Sequence, residues 1–150
     1  MNQVEKKFMM KYLFIFISFN FILFAAQVDE SRDGIKFEKD YKSALKKAKE
    51  ENKKVFIFIS TPDCKFCDKL EKTTFANVKI YERINKEYAS VHVTKDVDSY
   101  PSKLKVSATP MTYFLNNDGK IIDYSLGYWD SSDFKFTLDD ATRKYKKMRR

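Results

Sequence analysis

The chain has 150 residues, 43% hydrophobic and 16% aromatic, with only three glycines and three prolines. That composition fits one domain with a sizeable core and excludes a second domain, a long linker or a low-complexity tract; no internal repeat is present either. The formal net charge of +8 points first to nucleic acid, but the lysines are spread over every predicted helix instead of one stripe with interleaved aromatics, which argues against that partner.

Residues 1–26 differ in kind from the rest. "MNQVEKKFMMK" is a charged n-region, and Tyr12 to Ala26 is an almost unbroken apolar run. At about 15 residues the run is shorter than the roughly 18 of a spanning helix, so it reads as an export signal, with residues 27–150 as the mature domain. Phe24 lies where a small residue is preferred, three before a cut after Ala26, so a retained N-terminal membrane anchor stays open as the alternative. Loss of this segment lowers the net charge from +8 to +6.

Residues 37–53, "FEKDYKSALKKAKEENK", carry Tyr41, Ala44, Leu45 and Ala48 at helical spacing, which predicts an amphipathic helix. "KVFIFIS" (54–60) is continuous, β-branched and aromatic, as in a strand buried on both faces. Pro62 and Asp63 end it, and "CKFCDKLEKTTF" resumes helical spacing with Cys64 at the helix start. "ANVKIYERINKEY" predicts a second helix presenting Val78, Tyr81, Ile84 and Tyr88. "ASVHVTKDV" alternates as a strand does, with His92 on its polar side.

"MTYFLN" and "KIIDYSL", joined through Asp118-Gly119, predict a β-hairpin. A last helix starts at Asp130 or Ser131 and carries Phe134, Leu138, Ala141 and Tyr145. Its basic end, "RKYKKMRR", suits the negative end of the helix dipole and leaves open a minor affinity for anionic membrane. Strands joined by a crossover and followed by a hairpin define an α/β layered domain.

Cys64 and Cys67 are the two cysteines of the chain. A bridge between them closes too short a loop to serve mainly as a staple. A zinc site needs two ligands beyond this pair, and the chain has one histidine and no further cysteine, so no metal is expected. Haem attachment needs histidine after the second cysteine, and that residue is Asp68.

The buried strand "KVFIFIS", the "CKFC" motif opening a helix, and "SATPMTYFL" with Pro110 46 residues after Cys64 resemble the thioredoxin-fold family over residues 37–147. Within it, "KKVFIFISTPDCKFCDKLEKTTFANVKI" looks most like the exported branch that includes the C-terminal domain of the disulfide reductase DsbD. The resemblance implies a central mixed β-sheet flanked by helices, a cis bond before Pro110, and Thr109 and Pro110 lining the site and hydrogen-bonding an extended partner segment. It also implies protein thiols or disulfides as substrates, a membrane or soluble redox partner that recycles the cysteines, and no cofactor.

A thiolate is the nucleophile of disulfide exchange, and a helix N-terminus depresses a cysteine pKa, so Cys64 is the expected nucleophile and Cys67, one turn on, the resolving thiol. Lys65 either adds positive charge near the thiolate or extends into solvent. Phe66 either widens an apolar docking surface or is simply an exposed or core-facing ring.

The chain departs from the family in two places. Asp63 stands where thioredoxin has tryptophan, and Phe58 where the family has a buried acid. Asp63, Asp68 and Glu71 are the acids near enough in sequence to substitute, although negative charge there opposes a Cys64 thiolate. The expectation is an exported, monomeric thiol:disulfide oxidoreductase of the bacterial periplasm, with reduction the favoured direction. The alternative is a binding or chaperone module on the same fold without redox catalysis.

Overall fold

A computed structural model describes residues 34–150; the apolar N-terminal run, with the signal or anchor assigned to it, lies outside the described residues. The chain enters through a two-residue edge strand β1 (Phe37–Glu38), then forms α1 (Tyr41–Glu50) and β2 (Lys54–Ser60). Helices α2 (Lys65–Thr73) and α3 (Val78–Glu87) lead to β3 (Tyr88–Thr94). The hairpin β4 (Met111–Leu115) and β5 (Ile121–Leu126) precedes α4 (Ser131–Met148).

The sheet order is β1-β3-β2-β4-β5. β3 runs parallel to both β1 and β2, whereas β4 is antiparallel to β2 and to β5. Every residue of β2 is buried. Phe56 and Phe58 face a core built with α2, α3 and α4, while Val55, Ile57 and Ile59 face a second core with Ala44 and Ala48 of α1. Both faces being covered is the reason for the unbroken apolar run.

Two elements correct the sequence reading. The helix expected over 37–53 is confined to Tyr41–Glu50, because Asp40 caps it, accepting from the Ser43 N–H at 2.7 Å, and frees Phe37 and Glu38 to pair with β3. Its other end is closed by Asn52 in the left-handed region (φ 51°), with the Lys53 N–H donating to the Ala48 carbonyl at 2.8 Å. In α3 the inward face is Ile80 and Ile84, and Val78 is 53% exposed. The Asn77 cap makes Val78 the first helical residue, two positions and more than half a turn from Ile80, so it points outward. Tyr88 is buried, but as the first residue of β3.

β5 is an edge strand, and its backbone is partly occupied by its own chain. The Asp123 carboxylate accepts from the Tyr124 N–H, and the Trp129 indole donates to the Leu126 carbonyl at 3.0 Å. The expected hairpin and the Asp130 cap of α4 are both present.

Phe56 meets Phe75, Tyr88, Phe114 and Phe134 at ring-centroid distances of 5.6 to 6.4 Å. Replacing it with alanine should cost about 3–5 kcal/mol, read as a lowered urea midpoint with the slope retained. A loss under about 1 kcal/mol would mean the aromatic cluster is not the core's centre of packing.

Candidate active site

Where β2 ends, Thr61 and Pro62 lead to Asp63, whose left-handed backbone (φ 57°) turns the chain into α2. Asp and Asn tolerate that region better than most residues, which fits an acid where a bulky ring would be strained. Cys64 is the N-cap of α2, in extended conformation, and its Sγ accepts from the Cys67 N–H at 3.2 Å.

Cys64 and Cys67 are joined as a disulfide with their Cα atoms 5.2 Å apart. Cys64 is half-buried. Cys67, 2% exposed, lies in the core cluster with Phe58, Leu70 and Phe75. One sulfur is therefore reachable at the helix start while the other sits behind it.

The segment before β4 supplies the opposite wall. The Thr109–Pro110 peptide is cis, Pro110 is buried, and the Pro110 carbonyl accepts from the Gly127 N–H at 2.8 Å. The Thr109 hydroxyl donates to Cys64 Sγ at 3.6 Å and lies 2.8 Å from the hydroxyl of Thr61. The structure thus brings together Cys64, Cys67 and Thr109, with Pro110 next in the chain. Lys65 and Phe66 stay outside: both are exposed, Phe66 at 62%, and among the described residues neither side chain makes a hydrogen bond, ion pair or ring contact.

Sequence reasoning missed Thr61 and misplaced His92. Thr61 has a readable signal, a hydroxyl at the end of a buried strand just before the C-x-x-C turn. His92 is not on an open polar face. Parallel register sets it beside Phe58, so it shares the face covered by α2, with its ring 4.5 Å from the Phe58 ring and Nε2 2.7 Å from Ser60 Oγ. Burial holds its pKa below the ordinary histidine value, against smaller upward pulls from Glu71 and Asp98. Trp129 contributes packing and backbone contacts, its carbonyl accepting from the Thr74 hydroxyl at 2.6 Å.

Residues 41–142 match the model of the thioredoxin-like domain, and the chain belongs to that family. No curated protein matches it by sequence. Among solved structures it is similar to a candidate disulphide isomerase from Bacteroides thetaiotaomicron, at 24% identity and TM-score 0.65, covering 73% of this chain and 94% of that one. It is similar also to DsbH oxidoreductase (16%, TM-score 0.61, covering 78% and 93%). The C-terminal domain of Neisseria meningitidis DsbD in its oxidised form aligns at 16% identity and TM-score 0.54, covering 66% and 91%. At these identities the likeness establishes a common fold.

Because the folded imidazole resists protonation, the unfolded chain takes up that proton first as pH falls. The stability linked to His92 is whole above the unfolded value of about 6.5 and is lost as pH drops through the folded one. A His92→Phe variant, which keeps a ring against Phe58, should therefore lose less stability than wild type between about pH 7 and pH 5 in urea unfolding. Equal losses would assign the acid sensitivity to other groups.

Proposed function

We propose that this protein is an exported thiol:disulfide oxidoreductase acting on protein substrates, with Cys64 as nucleophile and Cys67 as resolving thiol. The observation that carries the reading is the Cys64 sulfur at the N-terminus of α2, half-exposed, bonded to a buried cysteine one turn later. The family and the Dsb-type neighbours support the same chemistry.

In the reductive direction the Cys64 thiolate attacks a substrate disulfide R–S–S–R′. A Cys64–S–S–R bond forms and R′S⁻ leaves, taking a proton from solvent. Cys67 then loses its proton and attacks the Cys64 sulfur, forming the Cys64–Cys67 bond as RS⁻ departs. Two electrons have passed from the cysteine pair to the substrate. Thiols supply all of this chemistry, so no cofactor is needed, and a membrane or soluble dithiol partner must restore the reduced pair.

Reduction is the direction we favour, from the resemblance to the DsbD branch; Lys65 opposes it, and Asp63 and Asp68 favour it, through their effect on the thiolate. Thr109 and Pro110 are the residues we assign to the substrate backbone, with Phe66 and Lys65 at the rim. Export rests on the charged and apolar N-terminal run; among the described residues no helix is long and apolar enough to cross a membrane.

Wild type should reduce insulin with dithiol as electron source, and Cys64→Ser should lose at least about a hundredfold of that activity, since the nucleophile itself is gone. Cys67→Ser, expressed in the native compartment, should accumulate reducible mixed disulfides through Cys64, and Cys64→Ser should not. Equal trapping by both variants would reverse the roles, and inactivity of wild type without any trapping would leave the binding module. Protein from an envelope fraction should begin near Gln27 or Val28 by intact mass. A cytosolic product beginning at Met1 would overturn export.

A further inference from the structure

Three oxygen and sulfur atoms in this site form a chain that the cysteine motif alone does not require. Thr109 Oγ1 donates to Cys64 Sγ at 3.6 Å, and Thr61 Oγ1 lies 2.8 Å from Thr109 Oγ1. We propose that Thr61 is a positioning residue for the Cys64 thiolate, its hydroxyl donating to Thr109 and so committing the Thr109 proton to the sulfur. The proposal rests on the oxidoreductase reading of Cys64.

The direction follows from proton count. A hydroxyl carries one proton, and a thiolate sulfur only accepts. Once the Thr109 proton is on the sulfur, the short Thr61–Thr109 contact needs a proton from Thr61. Without that donor the Thr109 hydroxyl is free to rotate toward other acceptors. The two threonines lie just beyond the ends of paired strands. The β2–β4 register ends with Ile59 opposite Met111, and counting it on by two residues sets Thr61 against Thr109. Facing threonines at such positions hydrogen-bond across strands.

Both ends are held. The Ser60 carbonyl accepts from the Lys95 N–H at 2.8 Å and its side chain meets His92, while the Pro110 carbonyl is held by Gly127.

The consequence is a bias between redox states. A thiolate gains more from a donor than a disulfide sulfur does, because charge-assisted hydrogen bonds are roughly twice as strong as neutral ones. The Thr109 hydroxyl and the Cys67 N–H therefore favour reduced, ionised Cys64. That offsets the Asp63 and Asp68 carboxylates, whose charge opposes the anion. It supplies a nucleophile without requiring a lysine against the sulfur, and the Lys65 side chain makes no such contact.

The test uses purified reduced protein and follows the thiolate absorbance of Cys64 against pH, together with the equilibrium with glutathione. Thr61→Val keeps shape and removes the donor; Thr61→Ser keeps the donor. The charged groups closest to Cys64 in the chain, Asp63, Lys65 and Asp68, with Glu71 further along α2 and His92 on β3, are the same in every variant.

Thr61→Val should raise the pH midpoint of thiolate formation and move the glutathione equilibrium toward the Cys64–Cys67 disulfide by about two- to tenfold, the range of one hydrogen bond. Thr61→Ser should stay with wild type. In a Thr109→Val background, Thr61→Val should add nothing, because the effect passes through Thr109. A Thr61→Val protein with the wild-type midpoint and equilibrium would overturn the relay, and so would an undiminished shift in the Thr109→Val background. Insulin reduction by wild type is measured alongside. If it is absent while Thr61→Val still moves the midpoint, the oxidoreductase falls and the relay stands.

Discussion

A sulfur atom does the work of an N-cap oxygen at the start of α2, and the rest of the site is arranged around that substitution. α1, α3 and α4 are capped by oxygens of Asp40, Asn77 and Asp130, while α2 is capped by Cys64 Sγ. Sulfur in a disulfide is a weak acceptor, so the first turn of α2 is left under-satisfied in the bridged state. A thiolate in the same place accepts strongly and sits at the positive end of the helix dipole. The local need of the helix for an acceptor and the chemical need of the site for an anion are thus met by one atom.

Holding that atom still is the task of the sheet. β2 is buried along its whole length and paired on both sides, so its end cannot drift without opening two cores. Asp63, in a backbone region that costs most side chains energy, sets the angle between the strand and α2. β4 brings Thr109 to the same end of the sheet. A buried charge lies at the opposite end: Lys54 Nζ is 2.7 Å from Glu87 and 4.3 Å from the Tyr88 ring centre, and burial depresses its pKa. A lysine buried so completely is tolerable because it is paired, and its charge stays at the strand end remote from the cysteines.

Much of this was legible in the sequence. "KVFIFIS" announced a strand covered on both faces, Asp-Gly the hairpin, and Asp130 the last helix, because each is a local pattern with a local cause. The short pairing of Phe37 and Glu38 with β3 was not, since two residues carry no period and the partner strand is more than fifty positions away. Val78 was placed inward by counting apolar residues without fixing the cap. His92 was misread because alternation along one strand does not say which face a helix will cover. Cys64 and Cys67 were visible as a motif. Thr61 had only its position to mark it, a hydroxyl at the end of a buried strand, and its partner Thr109 lies 48 positions further along the chain.

The interior beneath Cys67 also bears on which sulfur reacts. Its cluster holds Phe58, where the family resemblance implies an acid, along with Leu70 and Phe75. The polar groups of this region stand to one side: His92, the lateral neighbour of Phe58 on β3, turns its Nε2 to Ser60. In the reduced pair an apolar setting disfavours a thiolate at Cys67, whereas the Cys67 N–H, the Thr109 hydroxyl and the helix dipole favour one at Cys64. Burial and hydrogen bonding therefore separate two chemically identical side chains in the same direction. On the proposed mechanism, Cys67 remains protonated while Cys64 attacks. It gives up its proton only once a mixed disulfide places an electrophilic sulfur one helical turn away, so the order of the two steps follows from the environment of the cysteines, without a buried carboxylate to enforce it.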